Sequence, residues 1–344
     1  MNATPADLRR WLTARLMALC AAETTSGQED AGLPVLRELL RELGATVVEQ
    51  PVAEGRTNML ALWGRPRVLF STHLDTVPPY FLPRIEGEVL IGRGTCDAKG
   101  QLVAQLAAVK TLRDEGRDGL AWLGVVGEET DSAGAKAALG LAGHLPELKA
   151  LINGEPTDLK LATGQRGVQQ VCLRCEGRAA HSGSPELGRN ATWPLLDWLQ
   201  RLREQPRPVD GKLGPELWNL GLLRAGEALN SIPAIAEAQL MARTVPGSTF
   251  LDDVRRLAPA EGSVDLRMDE PADLYPAVLG FDQAPMPFGS DAPALRVLVP
   301  DRMVVLAGPG SISVAHTLDE HLTLADLEAG VGLNRRLALH FLGD

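Results

Sequence analysis

Between residues 45 and 164 short apolar runs ending in polar residues alternate with stretches of helical periodicity, and this rhythm restricts the fold more than any other feature of the chain. Residues 6–22 and 31–43 read as amphipathic helices, the second closed by Gly44, and ATVVEQP reads as a first strand. RVLFSTHLDTVP begins as a buried strand at Val68, Leu69 and Phe70 and turns polar; LVAQLAAVKTLRDEG is helical; LAWLGVVGEET and KALINGEPT repeat the strand pattern. The expectation is an α/β fold, a mixed and largely parallel sheet flanked by helices, with ligands gathering where the carboxyl ends of strands meet the following loops.

After about Gly164 the pattern changes. VQQVCLRCEG alternates like a half-exposed strand, NATWPLLDWLQRLR and TFLDDVRRLA are helical, and LWNLGLLRAG and AIAEAQLMAR are strands separated by Asn-Ser-Ile-Pro. From Val304 the chain returns to an apolar strand, a Gly-rich loop and a long helix. Residues 1–164 and 285–344 are therefore expected to form one domain, with 165–284 inserted as a smaller α+β sandwich.

Charge and cysteine content narrow the function. Lys plus Arg number 34 against 44 Asp plus Glu, a net charge of −10 that repels phosphate backbones and anionic lipid, so neither nucleic acid nor a membrane is an expected partner. Cys20, Cys96, Cys172 and Cys175 are too few and scattered for a disulfide framework, which suits a reducing, cytoplasmic setting. Cys172 and Cys175 form a lone CxxC inside a strand pattern and read as packing residues, and Cys96 reads as a small buried filler.

His73, Asp97, Glu129, Glu155 and His316 stand at strand ends or in loops. Together they make a mixed imidazole and carboxylate set without thiolate, suited to zinc, cobalt or manganese. One bridging carboxylate, with a His and a carboxylate for each ion, would hold a pair that activates water and polarises a carbonyl. His73 and Asp75 share a face of an extended segment, so the Asp75 carboxylate is placed to accept the imidazole's second N–H. Of the neighbours Glu128 and Glu129, one is expected to bind metal and the other to carry a proton; spacing leaves the order open.

HLDTVP, GRGTCDAKG, VVGEET, NGEPT, GRAAHS and GPGSISVAHTLDE, in this order between about residues 70 and 325, resemble the zinc-dependent family of acetylornithine deacetylases, succinyl-diaminopimelate desuccinylases and aminoacylase- or glutamate-carboxypeptidase-like peptidases. The resemblance implies that His73, Asp97 and Glu155 hold one metal, that Asp97, Glu129 and His316 hold the other, and that Glu128 is the general base. It also implies that 1–164 with 285–344 is the catalytic domain and 165–284 a lid or dimerisation domain, that His181 stabilises the oxyanion, often from the partner in a homodimer, and that Asn230, Arg243 and the Gly308–Gly310 loop contact substrate. Arg166, at the entrance to the inserted domain, is a further substrate-binding candidate. AQLMAR lacks the acid that relatives often place just ahead of the arginine, which leaves Arg243 without its usual anchor.

The expected activity is hydrolysis of an N-acyl amino acid, N-acetylornithine first, with N-acetylcitrulline and N-acetyllysine-like compounds beside it. Desuccinylation of succinyl-diaminopimelate and dipeptidase or carboxypeptidase cleavage are the alternatives. A catalytically silent binding protein would be expected to have lost a ligand or the base, and every such position is filled.

Overall fold

The computed structural model describes residues 5–299 and 303–343. In chain order the elements up to the inserted region are α1 (Pro5–Cys20), α2 (Leu33–Glu42), β1 (Thr46–Ala53), β2 (Arg56–Trp63), β3 (Val68–His73), β4 (Arg84–Glu86), β5 (Val89–Ile91), α3 (Lys99–Asp114), β6 (Leu120–Val125), α4 (Ala133–Ala137), β7 (Ala150–Asn153) and β8 (Leu161–Gln165). Then follow β9 (Gly167–Glu176), α5 (Thr192–Arg203), β10 (Val209–Asp210), β11 (Gly214–Pro215), β12 (Leu217–Ala225), β13 (Ile235–Thr244), α6 (Phe250–Arg256) and β14 (Gly262–Glu270). The chain closes with β15 (Asp273–Leu274), β16 (Gln283–Met286), α7 (Ala292–Leu295), β17 (Val304–Leu306), β18 (His321–Thr323) and α8 (Leu324–Leu342).

Two compact units result, residues 1–162, 275–284 and 290–344 in one and 163–274 with 285–289 in the other. The larger unit is built on a six-stranded sheet of order β1-β2-β6-β3-β7-β17. β6, β3, β7 and β17 run parallel, and β2 and β1 add antiparallel at one edge, giving the mixed, largely parallel sheet that the strand and helix alternation implies. Both faces of β3 and β6 are buried, as continuous apolar runs such as Val68–Phe70 require of central parallel strands. α3 is buried along most of its length, and Gln105 within it accepts the Trp122 indole N–H. α2 begins two residues later than its periodicity suggested because Pro34 suits a first helical turn, and Gly44 closes it at φ +66°.

The smaller unit carries an antiparallel sheet of order β12-β13-β9-β14, with α5 and α6 on one face. Val171, Leu173 and Cys175 of β9 and alternate residues of β13 from Ala236 to Ala242 meet Trp198, Leu202, Phe250 and Val254 there, so Cys175 is a packing residue. The boundaries differ from those expected: residues 163–164 and 285–289 fall in the smaller unit, and one longer segment changes sides. Residues 275–284 belong to the larger unit, because Val278 and Phe281 pack into the core that contains Leu161 and Val305. Among the described residues no helix is long and apolar enough to cross a membrane.

Candidate active site

The parallel strands of the larger unit end together. β3 finishes at His73, β6 runs into Gly127–Glu129, β7 into Glu155 and β17 into Gly308, while Asp97 stands two residues before α3. His73, Asp97 and Glu129 each present a ligand atom within 4.8 Å of the others. His73 Nε2 lies 3.0 Å from Asp97 Oδ1, and His316 Nε2 lies 3.3 Å from Asp97 Oδ2 and 3.1 Å from the Glu129 carboxylate. Asp97 thus spends its two oxygens on two different imidazoles. The Asp97–Ala98 peptide is cis, and His316 has φ +63°, a conformation uncommon for a residue with a side chain. Glu155 is 4% exposed and close enough for its charge to act on His73, Asp97 and Glu129.

The tautomer of His73 follows from its other nitrogen. Nδ1 stands 2.9 Å from the Asp75 backbone carbonyl, which only accepts, so Nδ1 carries a proton; on losing its other proton, the one facing Asp97, the ring would present the Nε2 lone pair to a cation. The acceptor was expected to be the Asp75 carboxylate; that carboxylate lies farther off, 3.5 Å, because it is engaged elsewhere. Its Oδ1 accepts the N–H groups of Gly127 and Glu128 at 3.0 and 3.1 Å, and its Oδ2 accepts from Glu129 N–H at 3.2 Å and Ser26 Oγ at 2.7 Å. Asp75 therefore ties the end of β3 to the loop that carries the acid pair. On the other side Arg56 grips Asp131 with two bonds and reaches buried Glu29. Gly127 has φ +78°, and a Cβ there would fall 1.6 Å from the Arg56 guanidinium, so only glycine fits.

Burial would depress the His73 imidazole, yet the Asp75 and Asp97 carboxylates outweigh it and hold its pKa well above the usual value. Burial likewise works against the charge on Asp97, but His316 and His73 pull it below the ordinary carboxylate range. Contacts with Asp97 and Glu129 push His316 up to about 10. Glu128 and Glu155 go the other way: burial raises both, and the surrounding carboxylates, Asp291 among them, add to it. Crowded carboxyl groups driven to hold protons, interleaved with imidazoles and free of thiolate, are the surroundings in which a hard or borderline divalent cation replaces protons. Burial also raises the Cys96 thiol, whose Sγ lies 3.6 Å from the Ser311 carbonyl, in keeping with a filler.

Gly308 is buried beneath the site. A Cβ would meet Gln101 Oε1 at 1.8 Å, and its N–H and carbonyl are both taken by the Glu155-bearing loop through Thr157 and Leu159. Gln101 joins the Asp97 loop to the same Gly-Pro-Gly turn by donating to the carbonyls of Cys96 and Pro309.

The remaining candidates lie in the smaller unit. His181 is exposed, its Nδ1 accepts the Gly183 N–H at 3.1 Å, and it pairs with Ser231 beside Asn230, whose carbonyl accepts the Ser182 N–H. Arg243 sits at the far end of β13 from this pair, roughly 26 Å along the strand from Ile235 at about 3.3 Å per residue. Arg166 donates twice to the Leu213 carbonyl, bracing the β10–β11 hairpin. Ser26, Arg56, Glu29 and Gln101 carry no motif that singles them out, and only the folded geometry brings them to the site.

Residues 69–340 match the family model described as peptidase family M20/M25/M40. A protein of Aspergillus clavatus named "Probable carboxypeptidase" is 35% identical over 367 aligned positions, which cover 93% of this chain and 80% of that one. Among solved structures, a tripeptidase of Staphylococcus aureus superposes with a TM-score of 0.82 at 18% identity, covering 96% of this chain and 98% of its own. The Bacillus subtilis YXEP protein, a dinuclear metal-binding peptidase of the M20 family, does so with a TM-score of 0.74 at 16% identity, covering 98% and 99%.

Proposed function

Because the chain belongs to peptidase family M20/M25/M40, we propose that it hydrolyses the amide bond of compounds built as acyl–NH–CHR–COO⁻, with N-acetylornithine the first substrate to assay. The observation that carries this reading is the meeting of His73, Asp97, Glu129 and His316 at the carboxyl ends of the sheet, with Glu128 beside them. Two divalent cations, zinc or cobalt, would be held by His73, Asp97 and Glu155 and by Asp97, Glu129 and His316. Bound there, they supply charge that polarises the scissile carbonyl and acidifies water. Glu128 takes the proton of the attacking water at its carboxylate and delivers it to the amide nitrogen as the C–N bond breaks. Asp75 keeps that carboxylate in place through the Glu128 N–H. His181 donates to the developing oxyanion, and Arg243 grips the substrate carboxylate with its forked guanidinium. Asn230, Arg166 and the loop from Gly308 to Gly310 complete the proposed substrate-contact set.

A second reading, removal of the C-terminal residue from a short peptide, is favoured by the name of the Aspergillus clavatus relative. Both substrates share the amide bond next to a free carboxylate, so the acyl side decides. Zinc-loaded protein assayed on N-acetylornithine, N-acetylcitrulline, succinyl-diaminopimelate and dipeptides is expected to turn over the acetylated compounds. Cleavage of peptides alone moves the assignment to a carboxypeptidase or dipeptidase, and inertness toward all of them removes it.

The same reading includes a homodimer formed through the smaller unit. Its β12 pairs only with β13 among the described residues and leaves Leu217, Leu220, Leu222 and Leu223 exposed, as are Trp193 and Leu196 on α5. The distance along β13 between Arg243 and the His181–Asn230 end suits contributions from two copies to one small substrate. Sedimentation is expected to show a dimer that L222D with L223D converts to a monomer; an active wild-type monomer rules it out.

A further inference from the structure

We infer that Glu320 is a positioning residue that aims the Asp97 carboxylate, acting as a fixed anion clamped between the Asp97 loop and Arg93. The metal-holding role of Asp97 is taken from the proposed function above. Glu320 is 1% exposed, and a buried carboxylate is costly unless its oxygens are fully engaged. They are. Oε1 accepts three backbone N–H groups, those of Gly94, Cys96 and Asp97, at 2.9, 3.1 and 3.0 Å, and Oε2 accepts from Arg93 at 2.6 Å. With both oxygens taken by donors inside the protein, Glu320 is no metal ligand itself. Arg93, also 1% exposed, is held in turn by the Phe81 ring, 5.2 Å from its guanidinium, and by the Pro79 carbonyl.

The strands flanking these residues set the register. β18 pairs with β5 so that His321 opposes Ile91 and Leu322 opposes Leu90, and the Gly92 N–H donates to the Glu320 carbonyl at 3.0 Å. Gly94, at φ +86°, lets the loop curl its amides toward one point. The same few residues also carry His316. One short segment thus delivers an imidazole to the cluster and, four residues later, an anchor for the carboxylate that this imidazole touches. Arg93 satisfies one oxygen, and the other is taken by three amides of which one is that of Asp97 itself, so the contact bears on how that residue is held.

The test is zinc titration of metal-stripped protein against a competing chelator. Glu320→Gln keeps the shape but turns an amide toward Arg93, and Glu320→Asp keeps the charge but shortens the reach. Each is expected to weaken zinc binding by about 10- to 100-fold, the effect typical of partners that orient ligands, with hydrolysis recovering as zinc is raised. A cooperatively folded variant of either kind with wild-type zinc affinity overturns the inference. Should neither fold, amide exchange in the wild-type protein decides: Gly94, Cys96 and Asp97 are expected to exchange as slowly as β3, and loop-like rates overturn the clamp. Wild-type protein that binds no zinc defeats the metal assignment itself, a result distinct from zinc binding that the substitutions leave unchanged.

Discussion

Replacing Glu128 with Gln is expected to lower kcat by about 10²- to 10⁴-fold while leaving the metal content and the thermal transition of the protein close to wild type. Gln keeps the size of the side chain and the backbone N–H that Asp75 holds, so the acid-pair loop stays where Arg56 and Asp75 fix it. It cannot take up a proton from water or return one to a leaving amine. None of the contacts among His73, Asp97, Glu129 and His316 runs through Glu128, which is why the ions are expected to remain. Single-turnover rates and elemental analysis of the same sample check both halves. Turnover within tenfold of wild type removes Glu128 as the proton carrier, and loss of metal makes it a ligand instead.

Asp97→Asn is expected to abolish both hydrolysis and tight zinc binding. Asp97 meets His73 through one oxygen and His316 through the other, and an amide offers one acceptor and one N–H₂ group, so a single face of the bridge survives at most. The loss in affinity should exceed the ~10- to 100-fold expected for a residue that merely orients a ligand. Thermal denaturation gives an independent readout. Zinc at about 100 times its Kd should stabilise the wild-type protein by about 2.7 kcal/mol and the Asn variant hardly at all. Equal stabilisation of the two proteins would place the ion away from Asp97.

The strand-end pattern made much of this site legible in the sequence. His73, Glu129 and Glu155 each follow an apolar run that becomes a parallel strand, and parallel strands in one sheet necessarily end on one side. Asp97 and His316 lie in Gly-rich loops without periodicity, so only the ordered motifs linked them to the rest. The supporting contacts were invisible for a different reason. Ser26 reaches Asp75, Arg56 reaches Asp131 and Glu320 reaches the Asp97 amide across long stretches of chain, and no local pattern encodes such pairs. The same applies to residues 275–284: Val278 and Phe281 have no periodicity to reveal which core they enter. Arg166 is braced by the carbonyl of Leu213, which lies in the turn of a hairpin whose strands are only two residues each, too short to read from sequence.

Placing the insertion between β7 and β17 also imposes a timetable on the ribosome. The nascent chain completes its smaller unit while the larger sheet still ends at β7, an unpaired parallel edge of buried apolar residues, and β17 and His316 emerge only afterwards. Until translation passes that histidine the donor set is incomplete. An interrupted or truncated product is thus a chain with an open strand edge at β7 and an incomplete donor set.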